Sequence, residues 1–549
     1  MIKQEIYAKI IIEKNVKKEI ITVNRNDNMK YNKKTKNISV SRTENFVRNS
    51  TVGIFMQILS LILSFISRTI FIKLLSNDYL SINGLFSNIL STLSIVELGF
   101  GTALIYYLYK PVANNDKEGI KVILKYYKKV YTIIGSAMII LGLMVIPFMD
   151  YIIKDPPNVK ENLNFIYVLF LISTASGYFY YYKTALINAY QKNYIVSIYN
   201  QAFKWLQMIL QIVVLITTKN YILYLIIQLV CALLNYLCLS LKANKMFPFI
   251  KEKTDKNISN DDKKEISKKV KSLIFYRLNP AILNGSDNII LSSVVGVKYV
   301  GIYSNYYLIT SYLSMFISQI TSSLEIGVGN LNAIETKEKK EQIFYDSFYL
   351  CFFIHSIVCI LLMSLTNDFI NIWLGKDYLF TDFILFSIVL VLFVNGMQFA
   401  CYTFRTTSGL FEKNRFVPLY EVIINIVISI VLAKLIGVAG VFLGTVVARL
   451  STIFWTDPKI LYDEIFERKN KKKYFLKYIN YIIITFFVGS IIYIISRYFS
   501  AVNYIEWIIK AIILGLLTLF SIILLTCKTS EYKVLSGNIK EIILKIKKK

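Results

Sequence analysis

Residues 84–101 read GLFSNILSTLSIVELGFG, and residues 301–329 read GIYSNYYLITSYLSMFISQITSSLEIGVG. Both stretches open with a glycine followed at the same spacing by a Ser-Asn pair, and both close with a glutamate followed two and four residues later by glycines. The openings are 217 residues apart and the closings 228. The difference is about three helical turns, so the helix face is kept. The pattern predicts an internal repeat.

Each copy lies in an apolar run long enough to cross a membrane, since about 20 residues at 1.5 Å each span the hydrocarbon core. Hydrophobic residues make up 55% of the 549 residues and charged residues 18%, against about 25% charged in soluble domains. This composition excludes an ordinary cytosolic enzyme and a disordered chain. Fourteen such runs are present, with approximate boundaries 51–75, 81–109, 127–149, 163–188, 194–217, 221–243, 272–297, 299–326, 343–365, 380–402, 416–436, 438–455, 474–496 and 505–527.

The basic residues give the orientation of these runs. With the N-terminus placed in the cytoplasm, 48 of the 63 Lys and Arg fall in inner tails and loops and 8 in outer loops. Because cytoplasmic loops carry an excess of basic residues, both termini are predicted to be cytoplasmic and the two repeat copies parallel. Anionic lipid headgroups then account for the net charge of +28, and no nucleic-acid partner is expected.

Two lysine-rich polar stretches divide the chain, at 244–270 and 456–473. The predicted fold class is an all-α polytopic membrane protein with about 14 transmembrane helices, arranged as two six-helix halves and a C-terminal helix pair. Transporters often place the substrate site between such halves. The predicted organisation is a basic cytoplasmic tail (1–45), the N-terminal half (46–243), a cytoplasmic linker (244–270), the C-terminal half (271–455), a basic cytoplasmic loop (456–473), the additional helix pair (474–527) and a second basic cytoplasmic tail (528–549).

Enzyme chemistry has no support in the sequence. The longest outer loop, about 150–162, leaves no room for an extracellular catalytic domain. The chain has no GxxxxGK[ST] phosphate loop and no Ser–His or His–carboxylate constellation, and its six cysteines all lie in predicted spans without metal-ligand spacing. We therefore predict no catalytic residue, metal or cofactor.

Ionisable residues inside the membrane are costly and are candidates for function. Arg68 lies about 10 Å below the predicted outer end of the first run, where it either snorkels to headgroups or grips a phosphate with its planar fork. Asp287 is too short to snorkel and must face a cavity, pair or be protonated. By the 217-residue offset it falls within two residues of Arg68. A pair between Arg68 and Asp287 across the two halves is our hypothesis.

Four further charged residues are candidates for function, and three of them can also be explained by packing or by anchoring to headgroups. Glu97, near the centre of the second run, is either a packing carboxyl or a protonation site that couples transport to an ion gradient. Lys204 and Arg277 lie in the inner halves of their runs. They either anchor to headgroups or converge into a cationic vestibule that faces the cytoplasm. Glu421 is a candidate partner that would neutralise such a vestibule.

Several stretches match a known family. They are SDNII (286–290), VGIYSNY (300–306), ELGFG (97–101), GVGNL (327–331), IWLG (372–375), and NIVIS (425–429) leading to GVAGVFLGT (437–445). On these residues the chain resembles the bacterial polysaccharide biosynthesis or oligosaccharide flippase family (Wzx-type), within the MATE-like MOP superfamily. The resemblance covers about residues 45–455.

This resemblance implies a flippase in the bacterial cytoplasmic (inner) membrane. It would move an undecaprenyl-diphosphate-linked oligosaccharide by alternating access for surface polysaccharide synthesis. The implied partners are that glycan, membrane lipids, a polysaccharide polymerase and glycosyltransferases. The candidate residues are Arg68, Arg277 and Lys204 for the diphosphate, Gln57, Asn284, Asn305, Gln319 and Gln398 for the sugars, and Asp287, Glu97 and Glu421 for ion coupling or charge balance.

Three alternatives remain open at this stage. An ion-coupled drug or cation antiporter of the same architecture predicts an acidic cavity, and the excess of basic groups near the spans argues against it. A polysaccharide polymerase or ligase predicts a large outer loop with arginines. A structural or scaffolding protein explains the hydrophobicity but neither the repeat nor the charges inside the membrane.

Overall fold

The computed structural model describes residues 56–97, 100–267, 270, 285–332, 336–410, 413, 416–466 and 471–547. Its contacts divide the chain into a unit of residues 1–66, of which 56–66 are described, and a unit of residues 67–549. Within the described ranges the regular structure is helical, without strands. The predicted all-α polytopic fold class is therefore confirmed.

The helices are named here in chain order. They are α1 Met56–Leu74, α2 Asn77–Leu93, α3 Phe100–Ala113, α4 Lys117–Val145, α5 Leu163–Ser176, α6 Tyr178–Ala189, α7 Asn193–Thr218, α8 Tyr221–Met246, α9 Val297–Asn332, α10 Lys337–Leu374, α11 Asp382–Thr407, α12 Val417–Ile436, α13 Val438–Ser451, α14 Ile453–Glu464, α15 Lys471–Arg497, α16 Tyr504–Thr526 and α17 Ser530–Lys547.

Eleven helical segments of the described chain are long and apolar enough to cross a membrane, and they match eleven of the fourteen predicted runs. The run 81–109 is broken, because α2 ends in a 3-10 turn at Ser94–Glu97 and α3 begins at Phe100. The run 299–326 forms one helix, α9. Its many serines and tyrosines make it less apolar than the eleven segments above. The run 272–297 lies largely outside the described residues.

Gly437 separates two helices that the sequence left almost continuous. Its backbone has φ +66°, a left-handed conformation that favours glycine, so α12 ends at Ile436 and α13 begins at Val438. The two helices pack tightly because Gly440 and Gly444 face α12. A Cβ atom on Gly440 would lie 2.2 Å from the carbonyl group of Leu432. This small-xxx-small spacing is typical of close helix packing in membranes.

The additional helix pair, α15 and α16, packs against α10 of the C-terminal half. Buried hydroxyl pairs join them, Ser356 to Thr485 and Tyr349 to Thr526, each at 2.7 Å. Polar contacts inside hydrocarbon fix helix register because water cannot replace them. The pair is thus part of the packed C-terminal structure.

The final helix, α17, is tied to α15 by an ion pair between Glu531 and Lys477. Burial opposes the charge of Glu531. Hydrogen bonds from Lys477 and from the Glu531 backbone N–H outweigh it, so the pKa of this carboxyl lies below its usual value. The contact therefore favours the charged carboxylate and contributes stability at neutral pH.

Candidate functional site

The two copies of the repeat meet where α2 packs along α9. Gly301, which opens the second copy, faces α2 so closely that a Cβ atom there would lie 2.4 Å from Ser81 Oγ and 3.0 Å from the Asn77 carbonyl oxygen. Gly84, which opens the first copy, faces Val300 in the same way, at 3.2 Å. The matched glycines thus both lie in the crossing of α2 and α9.

The asparagines of the two copies make the same kind of hydrogen bond. Asn88 Nδ2 donates to the Gly84 carbonyl oxygen at 2.7 Å, and Asn305 Nδ2 donates to the Gly301 carbonyl oxygen at 3.5 Å. Asn305 is fully buried, and its Oδ1 has no partner in the described structure. The residue predicted to bind sugar therefore lies in the packing of this helix crossing.

Arg68 of α1 lies beside the crossing. Its Nη1 donates to Ser304 Oγ of α9 at 3.0 Å, and Ser304 Oγ donates to the Gly301 carbonyl oxygen at 2.7 Å. The side chain is half-buried, and among the described residues no carboxylate lies within 4.0 Å of it. The ion pair that we predicted between Arg68 and Asp287 is not formed, because the two side chains have other partners.

Asp287 belongs to a buried polar cluster in the C-terminal half. The Thr445 hydroxyl donates to its carboxylate, with oxygen distances of 3.2 and 3.4 Å, and itself accepts from Asn425 Nδ2 at 2.8 Å. Ser286 Oγ donates to Asn425 Oδ1 at 3.2 Å, and Ser429 Oγ lies 3.4 Å from Asn425 Nδ2. In the described structure one hydroxyl is the only hydrogen-bond donor to the carboxylate. The buried carboxylate therefore lies among neutral hydroxyl and amide groups.

Helix α9 connects the arginine to this cluster. Ser304 holds Arg68, and the adjacent Tyr303 interacts electrostatically with Asp287. The Tyr303 ring also packs against Phe442 of α13, with centroids 4.7 Å apart. One turn of α9 therefore holds Arg68 through Ser304 and packs through Tyr303 on α13, the helix that carries Thr445 of the Asp287 cluster. Arg68 and this cluster together form the candidate site.

The other arginines within the described spans are paired. Arg449 Nε lies 3.4 Å from Glu421 Oε1, and Arg405 Nε lies 3.4 Å from Asp457 Oδ1. Glu421 is fully buried and Arg405 nearly so. These pairs balance charge within α11–α14. Arg68 differs from Arg405 and Arg449, because among the described residues it has no carboxylate partner.

Glu97 lies in the N-terminal half, at the break between α2 and α3. The Tyr131 hydroxyl donates to its Oε1 at 3.4 Å. The fit is tight, because a Cβ atom on Gly101 would lie 2.9 Å from Glu97 Oε1 and 3.2 Å from the Tyr131 hydroxyl. The Tyr131 hydroxyl and the backbone at Gly101 therefore fix the position of this carboxyl.

The remaining predicted residues are scattered. Lys204 and Gln319 are exposed on α7 and α9, and Gln57 lies in the first turn of α1. Gln398 of α11 is buried, and neither polar atom of its amide has a partner in the described structure. Arg277 and Asn284 lie outside the described residues.

The sequence analysis did not single out Asn425, Ser429 or Thr445 as site residues. Neutral polar residues are common in membrane helices, so type alone marks none of them. Asn425 and Ser429 are four residues apart, and Gly440 and Gly444 repeat that spacing on the next helix. Together these two spacings indicated a polar face that meets a small-residue face. Among the described residues no group of three His, Cys, Asp or Glu could hold a metal ion.

No family model matches the chain. No curated protein matches it by sequence. Two solved structures share its fold. The lipid II flippase MurJ, in an inward closed conformation, has a TM-score of 0.58 and 16% identity, and the match covers 86% of this chain and 98% of that one.

The second is a multidrug resistance MATE family transporter of the MOP superfamily in an inward-facing conformation. It has a TM-score of 0.55 and 15% identity, with 71% of this chain and 91% of that one covered. The described chain is a multi-pass membrane protein with the fold of the MATE transporters and the MurJ flippase.

Proposed function

We propose that the protein is a flippase that moves an undecaprenyl-diphosphate-linked oligosaccharide across the bacterial cytoplasmic membrane for surface polysaccharide synthesis. Arg68 is the observation that carries this proposal. It lies in a membrane helix where the two repeat copies meet. In the described structure its guanidinium donates one hydrogen bond, to the Ser304 hydroxyl. A guanidinium offers five N–H donors in a planar fork, and within the described residues one of them has a partner, so the others can be offered to an oxyanion.

A sugar-diphosphate headgroup cannot cross hydrocarbon unassisted, because its charges and hydroxyls would lose their hydration. In our proposal Arg68 replaces part of the hydration of the diphosphate. The unpartnered amide of Gln398 is a candidate for a sugar hydroxyl. Arg277, Lys204, Asn284, Asn305, Gln319 and Gln57 remain candidates for the same headgroup in other conformations. The prenyl tail stays in lipid.

Asp287 is our first candidate for ion coupling. Its carboxylate is held by one hydroxyl, whereas Glu421 is ion-paired to Arg449 and is better suited to charge balance. Glu97 is a second coupling candidate, in the N-terminal half. Asp287 accepts from Thr445 of α13, and α13 packs on Tyr303 of α9, so a change in the charge of Asp287 acts through α13 on the helix that holds the arginine.

The lipid II flippase MurJ, which shares this fold over 86% of the chain, shows that the fold can serve a lipid-linked substrate, and the multidrug transporter shows that it can serve a drug. We further propose that both termini lie in the cytoplasm, that the predicted halves and linker are functional units, and that polymerase and glycosyltransferases are partners. No catalytic step is assigned to the chain.

An ion-coupled drug or cation antiporter is the second candidate. The buried carboxylate of Asp287 and the half-buried carboxylate of Glu97 favour it, because a cationic drug needs an acidic site. Arg68 opposes it, since within the described residues no carboxylate neutralises this arginine and its charge repels a cation.

Deletion of the gene tests the proposal, with undecaprenyl-linked sugars labelled separately in each leaflet. We expect inner-leaflet oligosaccharide to accumulate and surface polymer to fall. The wild-type gene should restore both, and an Arg68→Ala gene should not. Unchanged lipid intermediates and surface polymer, together with new drug sensitivity, would favour the antiporter.

A further inference from the structure

A lysine-lined pocket lies outside the candidate site, in the N-terminal half. It has a volume of about 610 Å³ and is formed by the first turns of α4, the middle of α6, the end of α8 and residues 250–255. Because α4 is predicted to begin at the cytoplasmic surface, the pocket is at the level of the inner headgroups. Its lysines are Lys121, Lys125, Lys128, Lys183, Lys251 and Lys253.

The positive charge of this pocket is only partly neutralised. Two carboxylates, Glu252 and Asp255, line it together with the six lysines. Glu252 pairs with Lys121 at 3.2 Å, and that same lysine also pairs with Glu118 at 2.7 Å. For the other five lysines, no carboxylate of the described chain lies within 4.0 Å. The carboxylates near the pocket therefore concentrate on one lysine and leave the rest uncompensated.

Two of the uncompensated lysines lie close enough to a third, Lys183, for their charges to act on it. Lys183 is half-buried, and its Nζ donates to Ser240 Oγ at 2.7 Å. The charges of Lys128 and Lys251 act on it directly. Holding like charges together raises the free energy of the empty pocket, and a multiply charged anion removes that repulsion. The ammonium group of a lysine is a compact positive charge and binds phosphate oxygens well.

The wall of the pocket is fixed in place by residues that begin the predicted linker. Lys125 Nζ donates to the Thr254 carbonyl oxygen at 2.9 Å, and the Thr254 hydroxyl bonds to Glu118. The segment is therefore attached to the first turns of α4, and the pocket is a formed concavity.

The geometry points to a binding site, made by Lys128, Lys183 and Lys251, for a phosphate-bearing anion with two or more negative charges. Two sources supply this chemistry: a phosphate headgroup of the inner leaflet, or a soluble di- or polyphosphate. The bound anion joins α4 and α6 to the start of the linker between the halves. The site stands apart from Arg68 and does not depend on the transported substrate.

The test uses the full chain in neutral detergent and two double variants. The pocket variant is Lys128→Gln with Lys251→Gln, and both lysines are exposed, so folding is retained. The control is Lys129→Gln with Lys245→Gln, which removes the same charge from exposed lysines that do not line the pocket. Inorganic pyrophosphate is titrated by calorimetry. Phosphatidic acid is titrated against phosphatidylcholine by native mass spectrometry.

We expect wild type and control to bind at least one probe and the pocket variant to bind it about tenfold or more weakly, with affinity falling as salt rises. Pyrophosphate binding would identify a soluble anion. Selective retention of phosphatidic acid without pyrophosphate binding would identify a headgroup. Equal affinity of the pocket and control variants for both probes, or no binding of either probe to wild type, would overturn the inference.

Discussion

Gly301 of α9 and Ser81 of α2 are in such close contact that a Cβ atom on Gly301 would lie 2.4 Å from Ser81 Oγ. Gly301 is the residue that the repeat matches with Gly84, and Gly84 faces Val300 at the same crossing. The glycines that made the repeat recognisable are therefore those that let α2 and α9 approach each other closely. This contact leads to the first prediction.

Replacing Gly301 with alanine should destabilise the protein. The added methyl meets a side-chain oxygen and, at 3.0 Å, the Asn77 carbonyl oxygen, so α2 or α9 must shift. We expect a loss of about 1–3 kcal/mol of unfolding free energy, as for overpacked cores, seen as a lower melting temperature in detergent.

Gly515→Ala in α16 is the matched control. Nothing lies within 4 Å of a Cβ atom there, and alanine is the better helix former, so we expect equal or slightly higher stability. Equal melting temperatures for the Gly301 and Gly515 variants would contradict the tight contact.

Arg68→Ala should lower export of lipid-linked glycan by about tenfold or more at normal expression, because hydrogen bonds to a charged group contribute about 1.5–3 kcal/mol each. Arg68→Lys should restore it only in part, since an ammonium lacks the planar fork. Lys73→Ala, which removes an exposed charge from the same helix, is the control. The measurement is glycan export in the deletion strain. Full export by the Arg68→Ala protein would contradict the proposal that Arg68 binds the diphosphate.

The spans and the repeat could be predicted because apolar runs and glycine spacing are local properties of the chain. The break in the run 81–109 was missed. Gly99 and Gly101 indicated close packing there, and the 3-10 turn before them has no proline to announce it. The predicted ion pair between Arg68 and Asp287 was wrong for a different reason. A repeat offset gives the register of two residues, whereas the partner of a long side chain depends on which helix it reaches. Arg68 reaches α9.

Asp287→Asn should separate function from stability. The amide keeps the shape of the carboxylate and can still accept from Thr445, while a neutral group loses less hydration on burial. We therefore expect an unchanged or higher melting temperature together with a loss of transport of about tenfold or more. Both are measured on the same preparation, in detergent and after reconstitution.

Glu421→Gln gives the comparison for that result. Glu421 is fully buried and paired with Arg449, so its loss leaves a guanidinium without its carboxylate. Breaking such a pair should lower the unfolding free energy by about 3 kcal/mol. If Asp287→Asn lowers the melting temperature as much as Glu421→Gln does, Asp287 has a structural role and coupling must be sought at Glu97.

The last prediction concerns how the additional helix pair is held. Lys510 of α16 is buried, and its Nζ donates to Asp368 Oδ2 of α10 at 2.6 Å and to the Ser496 carbonyl oxygen of α15 at 2.7 Å. Lys510→Met should lower the unfolding free energy by about 3 kcal/mol, because it leaves a carboxylate and a carbonyl without their donor. Asp368→Asn should cause a smaller loss, since Asp368 is about one-third exposed and water can replace part of the contact.

A double-mutant cycle decides whether the two residues act as a pair. Once Lys510 is methionine, Asp368 has no cation to lose, so the second substitution should have little further effect. The double variant should then be more stable than the sum of the single losses predicts, by about 1–3 kcal/mol. The measurement is denaturant unfolding of the full chain in mild detergent. Losses that add to within about 0.5 kcal/mol would mean that Lys510 stabilises α16 through the Ser496 carbonyl alone, and that α10 is held by the hydroxyl pairs Ser356–Thr485 and Tyr349–Thr526.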